Sequence, residues 1–399
     1  MLVHWLWLAT RVNISDREKA ALLQHFQDAE DIYFADGFET LPEAARLSLQ
    51  DKDLKEAEKI LADCSEKDIR ICTFRDAAYP AKLKNIADPP LVLYYQGKLP
   101  EMDSLPTIAL VGTRKASAYG LSVARRLGYQ MTQCGAVLIS GLADGIDGAG
   151  AVGGLTAGGA VVGVLGCGAD VVYPAKNKGL YADVRRSGCL LTEFPPGTPP
   201  YKWNFPKRNR IISGLSNGVL VVEAPERSGA LITARNAAEQ GRDVFVVPGN
   251  IDMPTFTGSN ALLREGAAMV TCGWDAVAEY AALYPGKVRK EPAAEHMPQE
   301  KELPQVAQKP LYPEKQRVSD RKKEKKPIDN PSVPPYSDIV GTLPEDAQKI
   351  LAVLEKGACH ADDVAAQCGL TAAQVSGAVT ILQIKGIVTK KPGNILSLK

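Results

Sequence analysis

The stretch IALVGTR, residues 108–114, begins as a short apolar run and ends in a glycine turn and an arginine. Five similar runs rich in β-branched residues follow at intervals of about 25 to 30 residues, over 137–140, 161–165, 190–193, 219–222 and 244–247. Alanine-rich segments of helical period separate them. Strands that alternate with helices in this way form a parallel sheet covered on both faces. The pattern predicts an α/β fold with a doubly wound parallel sheet.

The region before this core has a different composition. Residues 1–75 contain short helical patterns, one beginning at the capping residue Ser15 and another running from Leu54 to Ala62. Residues 1–100 as a whole carry 13 basic and 17 acidic side chains. We therefore predict a small acidic helical module over 1–75, followed by the core over 76–286.

The region after the core divides into two parts. Residues 287–342 hold nine prolines and many charges but few aromatic or β-branched residues, which predicts a disordered linker. Residues 343–399 regain periodicity and predict a winged-helix domain. Its predicted elements are three helices, over 347–354, 361–368 and 371–384, and two strands, over 387–390 and 395–398.

The chain as a whole is close to neutral. The 399 residues include 47 Lys and Arg against 46 Asp and Glu, so the net charge at pH 7 is +1. An interaction with nucleic acid must therefore come from local clusters of charge. The first apolar run lacks a basic start and ends at Arg11, so we expect no signal peptide, no membrane insertion and a cytoplasmic location.

Cysteine and histidine positions argue against metal chemistry in the core. The eight cysteines contain no C-x-x-C pair, which disfavours a zinc module and a disulfide framework. All four histidines lie outside residues 101–286, so neither a Ser-His-Asp triad nor a histidine-ligated metal is expected there. We predict no cofactor, no metal and no catalytic residue.

Three loops that follow predicted strands carry residues suited to phosphate. In an open α/β sheet, ligands bind beyond the carboxyl ends of the strands. One such loop contains Gly112, Thr113 and Arg114, and another, SGLADGID over 140–147, has two glycines before a helix start. The third places Ser228 and Gly229 at the start of an alanine-rich helix. Tight turns, a solvated arginine and ordinary helix caps explain the same residues equally well.

The segment between Glu193 and Glu223 has the clearest functional pattern. Its 29 residues contain four basic side chains and no acidic one. Three aromatic residues lie among these cations, at 201, 203 and 205. Cations along a track with aromatic rings between them suit an unpaired nucleic-acid strand. The alternative is a solvated charged face, and the absence of nearby acids in the sequence argues against it.

Several longer motifs resemble the bacterial DNA-processing proteins of the DprA (Smf) family. The matching stretches are DAAYP at 76–80, DPP at 88–90, VGTR at 111–114, LGCG at 165–168, YP at 173–174, NFPKRNRII at 204–212, ERSG at 226–229 and EQGR at 239–242. They occur in the order found in that family and cover roughly residues 75 to 275. A helical N-terminal module and a C-terminal winged helix also occur in it.

The resemblance implies an extended Rossmann-like core that binds single-stranded DNA, forms homodimers and helps to load the recombinase RecA during natural transformation, without turnover. It implies DNA contacts from Arg114, Lys202, Phe205, Arg208 and Arg210, with the cations on phosphates and the phenyl ring on a base. Together with the loop residues, the predicted nucleic-acid site is Gly112, Thr113, Arg114, Lys176, Lys202, Phe205, Arg208, Asn209, Arg210, Ser228 and Gly229.

The chain departs from the family pattern after its second core strand. The family commonly has an arginine where this chain has Asp144, and a histidine that is missing from the run Gly148-Ala149-Gly150. One basic contact is therefore in doubt. We expect weaker affinity, or a shift of the contact to Lys176 or Lys202.

Two other classes of function compete with DNA binding by the core. Related Rossmann-like folds hydrolyse nucleoside monophosphates with a carboxylate and an arginine, and Glu193, Glu223 and Glu226 are the candidate carboxylates here. Such an enzyme needs paired acids and a closed pocket, whereas a DNA binder needs an open groove. A transcription factor acting through residues 343–399 is disfavoured, because the predicted recognition helix over 371–384 has no Arg or Lys along its length.

Overall fold

The computed structural model describes residues 1–290 and, within 344–398, all residues except 356, 358, 372–373, 376, 380–381, 383–387 and 392–394. The chain divides into two compact units, residues 1–307 and residues 308–399. The predicted linker over 287–342 lies outside the described residues apart from its first four positions.

Five helices form the N-terminal part of the first unit. They are α1 (Leu2–Thr10), α2 (Asp16–His25), α3 (Ala29–Phe34), α4 (Glu43–Gln50) and α5 (Lys55–Glu66). A capping box starts α2, where the Ser15 hydroxyl accepts from the Glu18 N–H and the Glu18 carboxylate accepts from the Ser15 N–H. The helices bury Trp7, Leu8 and Ile60 against one edge of the sheet described next.

A nine-stranded sheet forms the centre of the first unit. Its strands are β1 (Arg70–Thr73), β2 (Val92–Gly97), β3 (Thr107–Val111), β4 (Val137–Ser140), β5 (Val161–Val164), β6 (Cys189–Thr192), β7 (Gly218–Val221), β8 (Asp243–Val246) and β9 (Ala268–Met269). The spatial order is β1-β2-β6-β5-β4-β3-β7-β8-β9. The strands from β6 to β9 in this order are parallel, whereas β1 and β2 join the edge at β6 antiparallel.

Helices cover both faces of the sheet, as the strand pattern predicts. On one face lie α7 (Ala118–Gln133), α8 (Ile146–Thr156) and α9 (Lys178–Ser187); on the other lie α6 (Ala81–Lys84), α10 (Asn204–Gly214), α11 (Gly229–Glu239) and α12 (Thr257–Arg264). Alternate residues of β3 enter the two cores, Ile108 and Leu110 on one side and Ala109 and Val111 on the other. The doubly wound α/β class is thus confirmed.

The six predicted strands correspond to β3 through β8, and no end differs by more than one residue. Three strands of the nine-stranded sheet were not predicted: β1, β2 and the two-residue β9. Because β1 precedes residue 75 and pairs with β2, the first strand of the core sheet lies within the segment predicted as the helical module. The two domain boundaries proposed at 75 and 286 stay predictions.

The glycine run from 148 to 153 has a packing role in the structure. It lies inside α8, which packs along α7. A Cβ atom at Gly153 would lie 2.0 Å from the Arg125 carbonyl oxygen, and one at Gly150 would lie 2.6 Å from the Leu110 side chain. These glycines allow the two helices to approach each other and the sheet closely. Residues 148–153 have the spacing G-x-G-x-x-G, but they lie inside a helix and do not form a dinucleotide-binding loop after a strand.

The second unit contains α13 (Glu345–Leu354), α14 (Ala361–Cys368), β10 (Cys359–His360), β11 (Val388–Lys391) and β12 (Ile395–Leu398). Its three-stranded sheet has the order β10-β12-β11, with antiparallel neighbours. Two of the three predicted helices and both predicted strands are present, and the winged-helix class is confirmed. The predicted third helix, over 371–384, lies partly outside the described residues.

No helix among the described ranges combines the length and the apolar character needed to span a bilayer.

The buried β4 strand yields a test of the sheet. Leu138 is fully buried between the sheet and its helices, so Leu138→Ala leaves a cavity and should lower the free energy of unfolding by about 2–5 kcal/mol. Leu121→Ala on the exposed side of α7 is the matched control and should change it by less than about 0.5 kcal/mol. Urea titration of the full chain measures both. Equal effects would contradict the placement of β4 at the centre.

Candidate nucleic-acid interface

An open cleft of about 320 Å³ lies beyond the carboxyl ends of β3, β4 and β7. The chain runs outward from β3 to β6 on one side, and from β7 to β9 on the other. The loops after β3 and β7 therefore diverge, and the cleft lies at this reversal of strand order, where doubly wound sheets bind ligands. Eight predicted site residues line it: Gly112, Thr113, Arg114, Phe205, Arg208, Asn209, Ser228 and Gly229.

The loop after β3 holds an exposed arginine at the mouth of the cleft. Gly112 is required there because a Cβ atom would lie 2.6 Å from the Ile146 side chain. The Thr113 N–H donates to the Glu223 carbonyl oxygen at 2.7 Å. The Glu223 carboxylate accepts from the Ser117 N–H at 3.1 Å and from its hydroxyl at 2.8 Å. These bonds fix both ends of the loop and leave the Arg114 side chain facing solvent.

The Phe205 ring is half-buried and carries a cation against its face. The Arg114 guanidinium lies 5.2 Å from the ring centroid, and the Arg208 guanidinium lies 6.0 Å from it. The Tyr173 ring packs at 5.4 Å with a tilt of 43°. The distances of the two guanidinium groups from the Phe205 ring fall within the range of cation–π attraction. The site thus joins an aromatic ring and an exposed guanidinium in one wall of the cleft.

Arg208 forms the floor of the cleft rather than its mouth. Its guanidinium is buried and donates to the carbonyl oxygens of Gly141, at 3.1 Å, and of Val164. Burial lowers the pKa of Arg208, and the neighbouring Asp147 carboxylate opposes that effect. Burial likewise raises the pKa of Asp147, against the attraction of Arg208 and a hydrogen bond from the Gly112 N–H. The pair ties the ends of β4 and β5 to the start of α8.

The sequence-based argument from missing acids is wrong for Lys207 and Arg210. The Glu193 carboxylate binds Arg210 through two hydrogen bonds, of 2.6 and 3.0 Å, and Lys207 at 3.1 Å. Asp16 lies 3.1 Å from Arg210 and 3.2 Å from Lys207, and Asp88 adds an ion pair of 2.9 Å to Arg210. Burial tends to lower the pKa of Arg210, but these carboxylates outweigh it and raise the value. We call these five residues the Arg210 cluster.

The N-terminus of α11 provides positive potential without a charged side chain. Ser228 caps the helix, its hydroxyl accepting from the Ala230 N–H at 3.2 Å. The Asn209 side-chain amide donates to the Gly229 carbonyl oxygen at 3.2 Å and so joins α10 to α11. The first N–H groups of a helix lack partners within it and attract anions. Arg227, which the site prediction omitted although it directly precedes Ser228, lines the same cleft.

Three predicted residues lie outside the cleft. Lys176 is exposed and forms an ion pair of 3.1 Å with Asp144, the residue that stands where the family has an arginine. Lys202 is exposed on the loop before α10, and no carboxylate of the described residues pairs with it. Arg210 belongs to the Arg210 cluster. We expected Lys176 to take over the phosphate contact of the missing arginine. Asp144 already balances the charge of Lys176, which makes it a weaker phosphate ligand.

The three candidate carboxylates for catalysis do not face a common point. Glu193 is bound within the Arg210 cluster, Glu223 is fully buried against the loop after β3, and Glu226 is exposed. Within the described part of the chain, no group of three or more His, Cys, Asp or Glu side chains is arranged to hold a metal ion.

Comparison with known proteins identifies two family matches. The family described as DNA recombination-mediator protein A matches residues 70–281, and the DprA winged helix domain matches residues 334–394. The chain is 42% identical over 212 residues to the DNA processing protein DprA of Bacillus subtilis, covering 53% of this chain and 71% of that protein. It is 33% identical over 340 residues to Protein Smf of Synechocystis, covering 84% and 81%.

The same similarity is present in three dimensions. The X-ray structure of DNA processing protein A (DprA) from Streptococcus pneumoniae superposes with a TM-score of 0.61 at 32% sequence identity. The match covers 70% of this chain and 98% of that one.

The Arg210 cluster yields a test that separates a structural cation from a binding one. Arg210→Ala leaves the buried Glu193 carboxylate with only Lys207, so we expect the free energy of unfolding to fall by about 3–5 kcal/mol. Lys202→Ala removes an exposed charge from the same segment and should change stability by less than about 0.5 kcal/mol. Chemical denaturation compares them. An Arg210→Ala protein as stable as Lys202→Ala would show that the cluster does not hold the helices to the core.

Proposed function

The chain belongs to the DprA (Smf) family, and we propose that it is a non-catalytic protein that binds single-stranded DNA in the cleft between β3 and β7. In this proposal it protects incoming DNA and assists the loading of RecA during natural transformation and recombination. The family description as a recombination mediator supports the recombination role. The cleft itself supports the choice of ligand.

One observation carries the proposal: Arg114 lies over the Phe205 ring at the mouth of an open cleft that also receives the start of α11. An unpaired strand offers both a base face and a phosphate within one nucleotide. An aromatic ring stacks on any base, and a guanidinium holds a phosphate through paired donors. In duplex DNA the base faces are already stacked on each other, so the ring has nothing to bind. The arrangement therefore favours single strands.

The phosphate contacts in this proposal come from loop residues. Arg114 and Arg227 are exposed at the rim of the cleft, and the start of α11, with Ser228 and Gly229, lines it. Arg208 and Arg210, which the sequence suggested as phosphate ligands, serve here as internal supports. Lys202 stays in the proposal as a cation next to the cleft, and Lys176 as a weak contributor because Asp144 pairs with it.

The geometry gives less support to the alternative, a nucleoside monophosphate hydrolase. That chemistry needs a carboxylate free to act beside a bound phosphate. Glu193 and Glu223 are occupied by Arg210 and Ser117, and Asp147 is buried against Arg208. The open shape of the cleft also suits a polymer better than an enclosed small molecule. We therefore assign no turnover to the protein.

The proposal includes RecA as a protein partner, a homodimer as the assembly and the cytoplasm as the location. RecA and the homodimer follow from the family resemblance. All eight cysteines are free thiols, as is usual for proteins of a reducing compartment.

Binding to oligonucleotides tests the proposed ligand. We expect the full chain to prefer single-stranded over duplex DNA of equal length. The logarithm of its affinity should fall with the logarithm of the salt concentration by about 0.7 per phosphate neutralised. Fluorescence anisotropy at three salt concentrations measures both, with nucleoside monophosphate turnover as the control reaction. Equal affinity for duplex, or affinity insensitive to salt, would contradict the proposal.

Two variants separate charge from stacking in the cleft. Arg114→Ala should weaken binding to all sequences and reduce the salt slope by about 0.7, because one phosphate contact is lost. Phe205→Ala should cost about 1–3 kcal/mol of binding energy and leave the slope nearly unchanged. Arg126→Ala, which removes an exposed charge of α7 outside the cleft, is the matched control. Thermal melts of each variant correct for the folded fraction. A Phe205→Ala protein that binds normally would exclude the stacking role.

A further inference from the structure

Two aromatic side chains stand exposed on the loop that leads into α10. Tyr201 and Trp203 stack on each other with ring centroids 4.7 Å apart and planes inclined by only 8°. Tyr201 is 45% exposed and Trp203 is 69% exposed. Neither residue lines the cleft.

The exposure of Trp203 is unusual for this chain. Trp5 and Trp7 are buried, and Trp274 is partly buried with the Lys290 ammonium over its ring. One face of the Trp203 ring is covered by Tyr201, so an exposure of 69% requires the other face to be open to solvent. The ring is held in a defined plane without being part of a core. An ordered, open aromatic face of this kind is suited to stacking on a flat ligand.

The charge around the pair points to an anionic ligand. Lys202 lies between the two aromatic residues and is exposed. The segment from 194 to 222 contains no acidic residue. The carboxylates that neutralise Lys207 and Arg210 reach those two cations from other segments, and they leave Lys202 unpaired among the described residues. A flat face beside a free ammonium matches a base and its phosphate.

The pair is also continuous with the cleft. Trp203 immediately precedes α10, and Phe205 is the second residue of that helix. The Cα atoms of residues two apart in a chain are separated by at most about 7 Å. A strand with one base on Phe205 can therefore reach Trp203 without leaving the surface.

We propose that the Tyr201–Trp203 pair is a second base-stacking position, which takes a base of the unpaired strand where that strand leaves the cleft, with Lys202 on the adjoining phosphate. This inference rests on the proposed function, since it assigns a further subsite to the same ligand. Trp203 supplies the stacking face, and Tyr201 holds the indole in its plane.

Intrinsic fluorescence gives a direct test, because Trp203 is the most exposed of the four tryptophans. Titration of the full chain with an oligothymidylate of about 20 nucleotides should quench its emission. Trp203→Phe should lose that quenching while keeping affinity within about threefold, since a phenyl ring still stacks. Trp203→Ala should bind about 5- to 150-fold more weakly, the range expected for loss of one stacked base. Trp274→Phe is the control and should keep both the quenching and the affinity.

An oligonucleotide that carries abasic sites separates stacking from charge. Wild type and Trp203→Ala should bind an abasic strand with equal affinity, because neither has a base to stack. If the wild type and Trp203→Ala bind oligothymidylate equally and the emission does not change, the second stacking position is excluded. If Arg114→Ala still weakens binding in that case, the proposed function is retained. A wild-type chain that binds no single-stranded DNA overturns both proposals.

Discussion

The cleft depends on one buried cation, the guanidinium of Arg208. It lies beneath the strand ends and donates to the carbonyl oxygens of Gly141 and Val164. A charge at this depth is tolerated because these carbonyl oxygens and the Asn209 side chain accept hydrogen bonds from it and the Asp147 carboxylate lies beside it. The same contacts hold the first turn of α10 against the ends of β4 and β5. They thereby fix the position of Phe205. Arg208 thus both joins α10 to the strand ends and orients the ring that faces the cleft.

Cations in this part of the molecule divide into two groups with different environments. Arg208 and Arg210 project from α10 into the protein, where carbonyl and carboxylate oxygens occupy their donors. Arg114 and Arg227 lie on loops after β3 and β7 and face solvent. The buried group makes the scaffold rigid, and the loop group is available to a ligand. This division is typical of α/β proteins, in which loops carry the function and the sheet fixes their position.

Periodicity predicted β3 through β8 because buried parallel strands are short apolar runs separated by helices. It missed β1 and β2, which join the sheet antiparallel through pairs that no local pattern reveals. The strand-end rule likewise brought Gly112, Arg114 and Ser228 to one cleft. It did not identify the role of Arg210, since Asp16 lies 194 residues away in sequence. A segment without acids is therefore not a segment without counter-charges.

In the proposed binding mode, the Asp144–Lys176 ion pair affects which side of the cleft can attract phosphate. An acid at position 144 would by itself repel a backbone from the rim next to Tyr173. Lys176 lies 3.1 Å away and cancels most of that charge, but it is then no longer a free cation. The rim at Asp144 is thus close to neutral. The remaining positive potential comes from Arg114, Arg227 and the start of α11, so the proposal places the backbone at the loops after β3 and β7 rather than at Lys176.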